Sequence, residues 1–127
     1  MKETYVTYET SKLLKEKGFD WAVMACYQNS EFRYVNLWNW NKFNASTLCS
    51  APTQQMALRW LREEKNLNID VSWDNVLNWF FQVVSLTETV QLDYEEPRVF
   101  HSSNETGFKT YEDGVEAALQ YVLTNLI

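Results

Sequence analysis

The stretch APTQQMALRWLREEKNL, residues 51–67, carries the strongest helical signal in the chain, and its two faces ask for different surroundings. Pro52 disfavours helix in the residue before it, and Thr53 offers a side-chain oxygen to the first free backbone donors, so the helix opens there. At about 100° per residue, Met56, Trp60 and Leu67 fall within a narrow arc that Ala57, Leu61 and Leu58 widen. The opposite face carries Gln55, Arg59 and Arg62, with Arg59 four residues before Glu63 and so placed to pair with it. An apolar stripe of this kind has to lie on an apolar partner, and the flanking segments provide one.

Toward the N-terminus, Thr7 caps a helix over residues 8–17, and Gly18 supplies the left-handed position that ends it, with Phe19 packing back on Leu14. WAVMACYQ, residues 21–28, has few polar residues on either face and reads as a central strand. After a turn at Asn29-Ser30, EFRYVNLW returns beside it as a hairpin, with Phe32, Tyr34 and Val35 near the pairing face. NWNKFNASTLCS, residues 39–50, shows no period and reads as a long loop.

Beyond the quoted helix, NIDVSWD and NWFFQVVSL are rich in β-branched and aromatic residues and read as two more strands, with RVFHSS a fifth. Asn104 to Gly107 is a turn signal. Thr110-Tyr111-Glu112-Asp113 places an acid three residues after a capping threonine. Tyr111, Val115, Ala118, Leu119, Val122, Leu123 and Leu126 then form one stripe. The order α-β-β-α-β-β-(β)-α predicts the α+β class: a single domain over residues 1–127, with an antiparallel sheet of four or five strands and three helices on one face.

Composition excludes several alternatives. The hydrophobic fraction of 46% with only three Gly and two Pro argues against disorder and linker-rich architecture. The aromatic fraction of 16% is high for so short a chain. No stretch reaches the roughly 18 apolar residues that would span a bilayer, and the start MKETYVTYET lacks a secretory apolar run. The expectation is therefore a cytoplasmic protein with no membrane partner, its two cysteines reduced thiols. Cys26 lies in an apolar run and is expected to be buried; Cys49 lies in a polar stretch and is the more exposed of the two, with no basic neighbour in sequence to lower its pKa.

Chemistry finds little purchase. His101 is the sole histidine, and HSSN is not a recognised nucleophile arrangement, so no catalytic residue is assigned and the protein is expected not to be an enzyme. Two cysteines and one histidine do not make a closed zinc site, and the acids Asp93, Glu95 and Glu96 lack the spacing of a calcium loop. No phosphate-cradling glycine motif is present, and no cofactor is expected. Gln55, Arg59 and Arg62 share one helical face with chemistry suited to base edges. Against that reading, the net charge is −6, and residues 68–127 hold ten acids against Arg98 and Lys109. The phosphate attraction is missing, and nucleic acid is not expected as a partner.

The most unusual segment is NLWNWNKFN, which sets Trp38, Trp40 and Phe43 among Asn39, Asn41 and two further asparagines. Rings beside amides combine contact area with hydrogen bonding, which suits a protein interface or a polar ligand. The function expected is a non-enzymatic protein-interaction module, with self-association as a homodimer one form of it. The alternative is a small-molecule binding protein, with carbohydrate one ligand class, using the same loop.

Ala51, Pro52 and Thr53 followed by Trp60, Leu61, Arg62 and Glu63, with Thr110, Tyr111 and Glu112 opening a C-terminal helix and KLLKEKGF near the N-terminus, resemble a group of short uncharacterised proteins from gut bacteria and their phages. The likeness covers most of the chain except the middle, where residues 34–50 differ from that group's shorter link. It implies a small α+β protein and assigns no activity.

Overall fold

Three threonines start the three helices by the same chemistry. Thr7, Thr53 and Thr110 sit in extended conformation, and each side-chain oxygen accepts from the backbone N–H three residues on, at 3.3, 3.1 and 3.0 Å. These bonds open α1 (Tyr8–Glu16), α2 (Gln54–Lys65) and α3 (Tyr111–Asn125). The computed structural model describes residues 3–86, 99–102 and 107–127, with backbone alone for 99–102. No helix among these is long and apolar enough to cross a membrane.

α1 ends as its sequence requires. Gly18 has φ of +91°, and the Phe19 N–H donates to Leu14 O at 2.9 Å, folding the chain back so that both side chains enter the core. α2 ends two residues earlier than its apolar stripe suggests. Asn66 takes the left-handed conformation at φ +55°, and Leu67 becomes the first residue of a strand rather than the last of the helical arc. Burial on α2 falls on Ala57, Leu58, Trp60 and Leu61, while the Arg59 Nε–Glu63 Oε2 pair closes at 2.8 Å on the outside.

The strands are β1 (Val23–Gln28), β2 (Glu31–Trp38), β3 (Leu48–Ser50), β4 (Leu67–Asp74), β5 (Asn78–Ser85) and β6 (Val99–Ser102). Class, helix number and strand polarity are as the sequence predicts. The strands, however, divide between two antiparallel sheets, ordered β2-β1-β3 and β4-β5-β6, instead of forming one. The helices stand between them in the contact network: α3 lies on β4 and β5 and touches α1 and α2, while α1 reaches β3. A second difference is that residues 39–50 are not structureless. They contain a short 3-10 helix, Trp40–Lys42, and the strand β3 that makes β1 central.

β1 and β2 are joined by Asn29 and Ser30, with φ of +51° and +65°, the mirror-image turn whose twist matches that of paired strands. The register runs Gln28↔Glu31, Tyr27↔Phe32, Cys26↔Arg33 and Ala25↔Tyr34. The next pair is Val23↔Trp38, so β2 spends four residues where β1 spends two and bulges at Val35–Leu37. The core draws on Leu14, Phe19, Trp60, Leu61, Phe81, Val83 and the buried stripe of α3, in which Val115, Ala118, Leu119, Val122 and Leu123 are all buried.

Candidate functional site

The site begins with how residues 39–50 are held. Asn39 accepts from the Asn41 N–H at 3.1 Å and so starts the 3-10 helix. Asn41 then bridges two strangers in sequence: its Nδ2 donates to Phe19 O at 2.9 Å, and its Oδ1 accepts from the Ser50 N–H at 2.8 Å. The Lys15 ammonium arrives from the last turn of α1 and donates to the carbonyls of Phe43, Ala45 and Leu48 at 3.3, 2.6 and 2.6 Å. An ammonium has three protons, and each is engaged here. The indole N–H of Trp40 donates to Asn36 O at 2.9 Å.

On that frame Trp38, Trp40 and Phe43 meet one another. Ring centroids stand 5.6 Å apart for Trp38–Trp40, 4.9 Å for Trp38–Phe43 and 6.1 Å for Trp40–Phe43. The three have different exposures. Trp40 packs on the core, while Trp38 is 40% and Phe43 45% exposed, with the Lys42 ammonium 5.9 Å from the Trp38 ring. The structure thus brings all five sequence-selected residues together, and divides their work. Asn39 and Asn41 build the loop, Trp40 anchors it, and Trp38 and Phe43 present rings.

A second aromatic group, absent from the sequence reading, adjoins the first along the same hairpin. Phe32 and Tyr34 lie 5.0 Å apart edge to face, Tyr27 meets Phe32 at 5.6 Å, and Tyr5 meets both Phe32 and Tyr34, at 5.0 and 5.9 Å. Tyr27 also donates its hydroxyl to Val6 O at 2.8 Å, and burial raises its pKa above the ordinary phenol value, with the Glu116 carboxylate adding to the rise. The pairings Tyr27↔Phe32 and Ala25↔Tyr34 follow from the two-residue turn, so that part of the group was readable. Tyr5 was not: it arrives through a bridge to Thr53, supported by Val6 N–H to Pro52 O at 3.0 Å and Gln54 N–H to Thr4 O at 2.8 Å. Beside Tyr5 an apolar groove of about 90 Å³ is lined by Val23, Met24, Leu37, Pro52 and Met56, among others.

Cys49 is not the more exposed cysteine: at 3% it is as buried as Cys26, because β3 carries it against Tyr27. Burial pushes its thiol up to about 11, although Lys15, a basic neighbour no local reading supplies, opposes the rise. Cys26 is buried as expected, and burial raises its pKa too. Register sets Cys26 opposite Ser50 and Cys49 opposite Tyr27, so the two thiols point to opposite faces of the sheet. On α2, Gln55 donates to the Tyr111 hydroxyl at 3.1 Å, and Arg59 pairs with Glu63 and lies 6.0 Å from the Trp21 ring. Asp93, Glu95, Glu96, the turn at Asn104–Glu105 and the side chain of His101 lie outside the described residues. Among those described, no three His, Cys, Asp or Glu side chains come together as a metal site. Comparison with protein families, curated proteins and solved structures finds no match to this chain.

Proposed function

We propose that this protein is a non-enzymatic protein-interaction module that works through its first sheet. One observation carries the reading: Phe32, Tyr34, Trp38 and Phe43 are all exposed, register sets the first three opposite Tyr27, Ala25 and Val23 on one face of the first sheet, and Phe43 packs on Trp38. Single exposed apolar residues are ordinary on a protein surface, whereas a contiguous set of them marks a surface that another molecule covers. Tyr34, 72% exposed, stands farthest into solvent of the four. Aromatic side chains of this kind are the residues on which protein interfaces concentrate their binding energy.

The alternative, a polar ligand such as a carbohydrate held by the Trp/Asn loop, has less support. Carbohydrate recognition needs free amides beside the rings, and Asn39 Oδ1 and both polar atoms of Asn41 are occupied by backbone groups. The groove that adjoins the loop is walled by apolar side chains. Nucleic acid is disfavoured in the same proposal, because the basic face of α2 is engaged at Gln55 and Arg59 and the chain is acidic overall. Two unpaired buried thiols fit a cytoplasmic setting.

A photo-crosslinking amino acid at Tyr34 tests the reading in cells expressing the protein, with the same probe at exposed Thr124 on α3 as control. Protein adducts specific to Tyr34 are expected, whether the partner is foreign or a second copy. Equal and low yields at the two positions would sink the interaction reading.

A further inference from the structure

We propose that the partner of this surface is a second copy of the chain, joined antiparallel along the outer edge of β2 so that two three-stranded sheets merge into one of six. The inference rests on the interaction reading above and names its partner and geometry.

Two backbone bonds fix which groups β2 turns outward. The Asn29 N–H donates to Thr47 O and the Ala51 N–H to Ala25 O, both at 2.9 Å, so Ala25 and Asn29 direct their backbone toward β3. The alternate residues Cys26 and Gln28 therefore face β2, where register sets them opposite Arg33 and Glu31. It follows that Phe32 and Tyr34 point their N–H and C=O groups away from β1. No described strand pairs with that edge. Two residues further on, the Asn36 carbonyl is already held by the Trp40 indole, and the bulge at Val35–Leu37 bends the strand. The open stretch is thus Glu31–Tyr34, short and without proline or lysine, and guarded only by the charges of Glu31 and Arg33, which repel any strand that does not match them.

Its charges select a second copy of itself. About a two-fold axis at Phe32, Glu31 of each copy lies opposite Arg33 of the other. These are positions where neither residue exchanges backbone bonds, and side chains there approach most closely. Two intermolecular ion pairs result, replacing the exposed Glu31–Arg33 contact of 3.4 Å within one strand. Moving the axis to Arg33 sets like charges face to face, and moving it to Tyr34 sets Glu31 against Leu37 and Arg33 against Val35. Only the Phe32-centred register satisfies the charges. It also brings Phe32 of the two copies together, so the cluster of Tyr5, Phe32 and Tyr34 continues across the axis.

Sedimentation velocity over a wide concentration range, on the full chain, tests this. The wild type is expected to pass from monomer to dimer as concentration rises. Glu31→Arg and Arg33→Glu each reverse two contacts and should weaken dimerisation by about tenfold or more, while the double variant E31R/R33E restores the pairs and should return it to near the wild-type value. All four positions of charge are exposed, so unchanged circular dichroism is expected throughout and separates lost pairing from lost folding. A dimer indifferent to the single reversals would overturn the β2 edge while leaving an interacting protein. A monomer at every concentration would overturn the second copy as partner, and the Tyr34 crosslink would then show whether any partner exists.

Discussion

At the scale of single residues, the loop that shapes the candidate surface depends on Lys15, remote from it in sequence, and on Asn41 within it. Replacing Lys15 by Met keeps its length but leaves three carbonyls without their donor. Hydrogen bonds to a charged group are worth about 1.5–3 kcal/mol, and a loss in that range is expected by urea denaturation, with Arg a poor substitute because its planar fork does not match three convergent oxygens. Neither Lys15 nor Asn41 was legible as a loop-builder, since Lys15 acts across 28 to 33 positions and Asn41 across 9 and 22, and nothing local marks these contacts. The capping threonines were legible because donor and acceptor stand three residues apart. Trp60 was legible too, from its place on the apolar arc of α2. It is 2% exposed and meets Phe19 edge on at 5.5 Å, so Trp60→Ala should destabilise by about 3–5 kcal/mol, and a loss under about 1 kcal/mol would show the indole to be dispensable. Cys49 makes a prediction in pH. Its thiol titrates at 9.0 when free and near 11 in the fold, so the unfolded chain loses its proton first. Below pH 9 both states are neutral at this position; between 9 and 11 its contribution to stability falls as pH rises, and a Cys49→Ala variant should show a shallower decline over that window. A thiol reagent that labels Cys49 in native protein at neutral pH as fast as in denaturant would contradict its burial.

At the scale of elements, the sequence located most of the strands and one hairpin but not how they assemble. The two-residue turn at Asn29-Ser30 and the run of apolar residues in β1 determined a hairpin with a central strand, because register follows from turn length. β4 and β5 were legible as strands though not as a pair, and Asp74 closes their turn by accepting from the Val76 and Leu77 N–H groups at 2.6 and 3.0 Å, which lowers its pKa. The division into two sheets was not plain, since alternation along a strand says which face is buried and not which strand lies beside it. β3 escaped notice for a related reason: three residues are too few to show a period. Helix-to-strand packing offers a sharp test at Gly114 of α3, where an added Cβ would stand 3.0 Å from Val71 Cγ1 of β4. Alanine inside a helix is normally favoured over glycine by about 0.5–1 kcal/mol. Here Gly114→Ala is expected to lose that gain to the contact with Val71, and to recover it in a Val71→Ala background. A double-mutant cycle with no coupling between the two positions would mean that α3 and β4 can separate freely.

At the scale of the whole molecule, the question is whether two sheets behave as one folding unit. α3 answers it through polar as well as apolar contacts. The Glu116 carboxylate accepts from the Thr7 N–H at 2.8 Å and from Gln54 Nε2 at 3.1 Å, tying the starts of α1 and α2 to one point on α3. Gln120 donates to the buried Thr10 hydroxyl one turn further along, at 3.3 Å. α1 touches β3 of the first sheet while α3 lies on β4 and β5 of the second, so the helices couple the two. Val23 of β1 and Phe81 and Val83 of β5 belong to the same core. Separating the sheets would therefore divide one core and expose apolar surface on both sides, which favours a single cooperative transition. Tryptophan fluorescence, which samples Trp21, Trp38 and Trp40 near the first sheet together with Trp60 on α2 and Trp73 and Trp79 on the second sheet, and far-ultraviolet circular dichroism, which samples the helices, should give coincident denaturation curves. Glu116→Ala should move both midpoints down together, by about 1.5–3 kcal/mol, because it removes a charged acceptor that serves two helices at once. Curves that part company, in the wild type or only in the variant, would mean that the two sheets and the helices between them do not unfold as one unit.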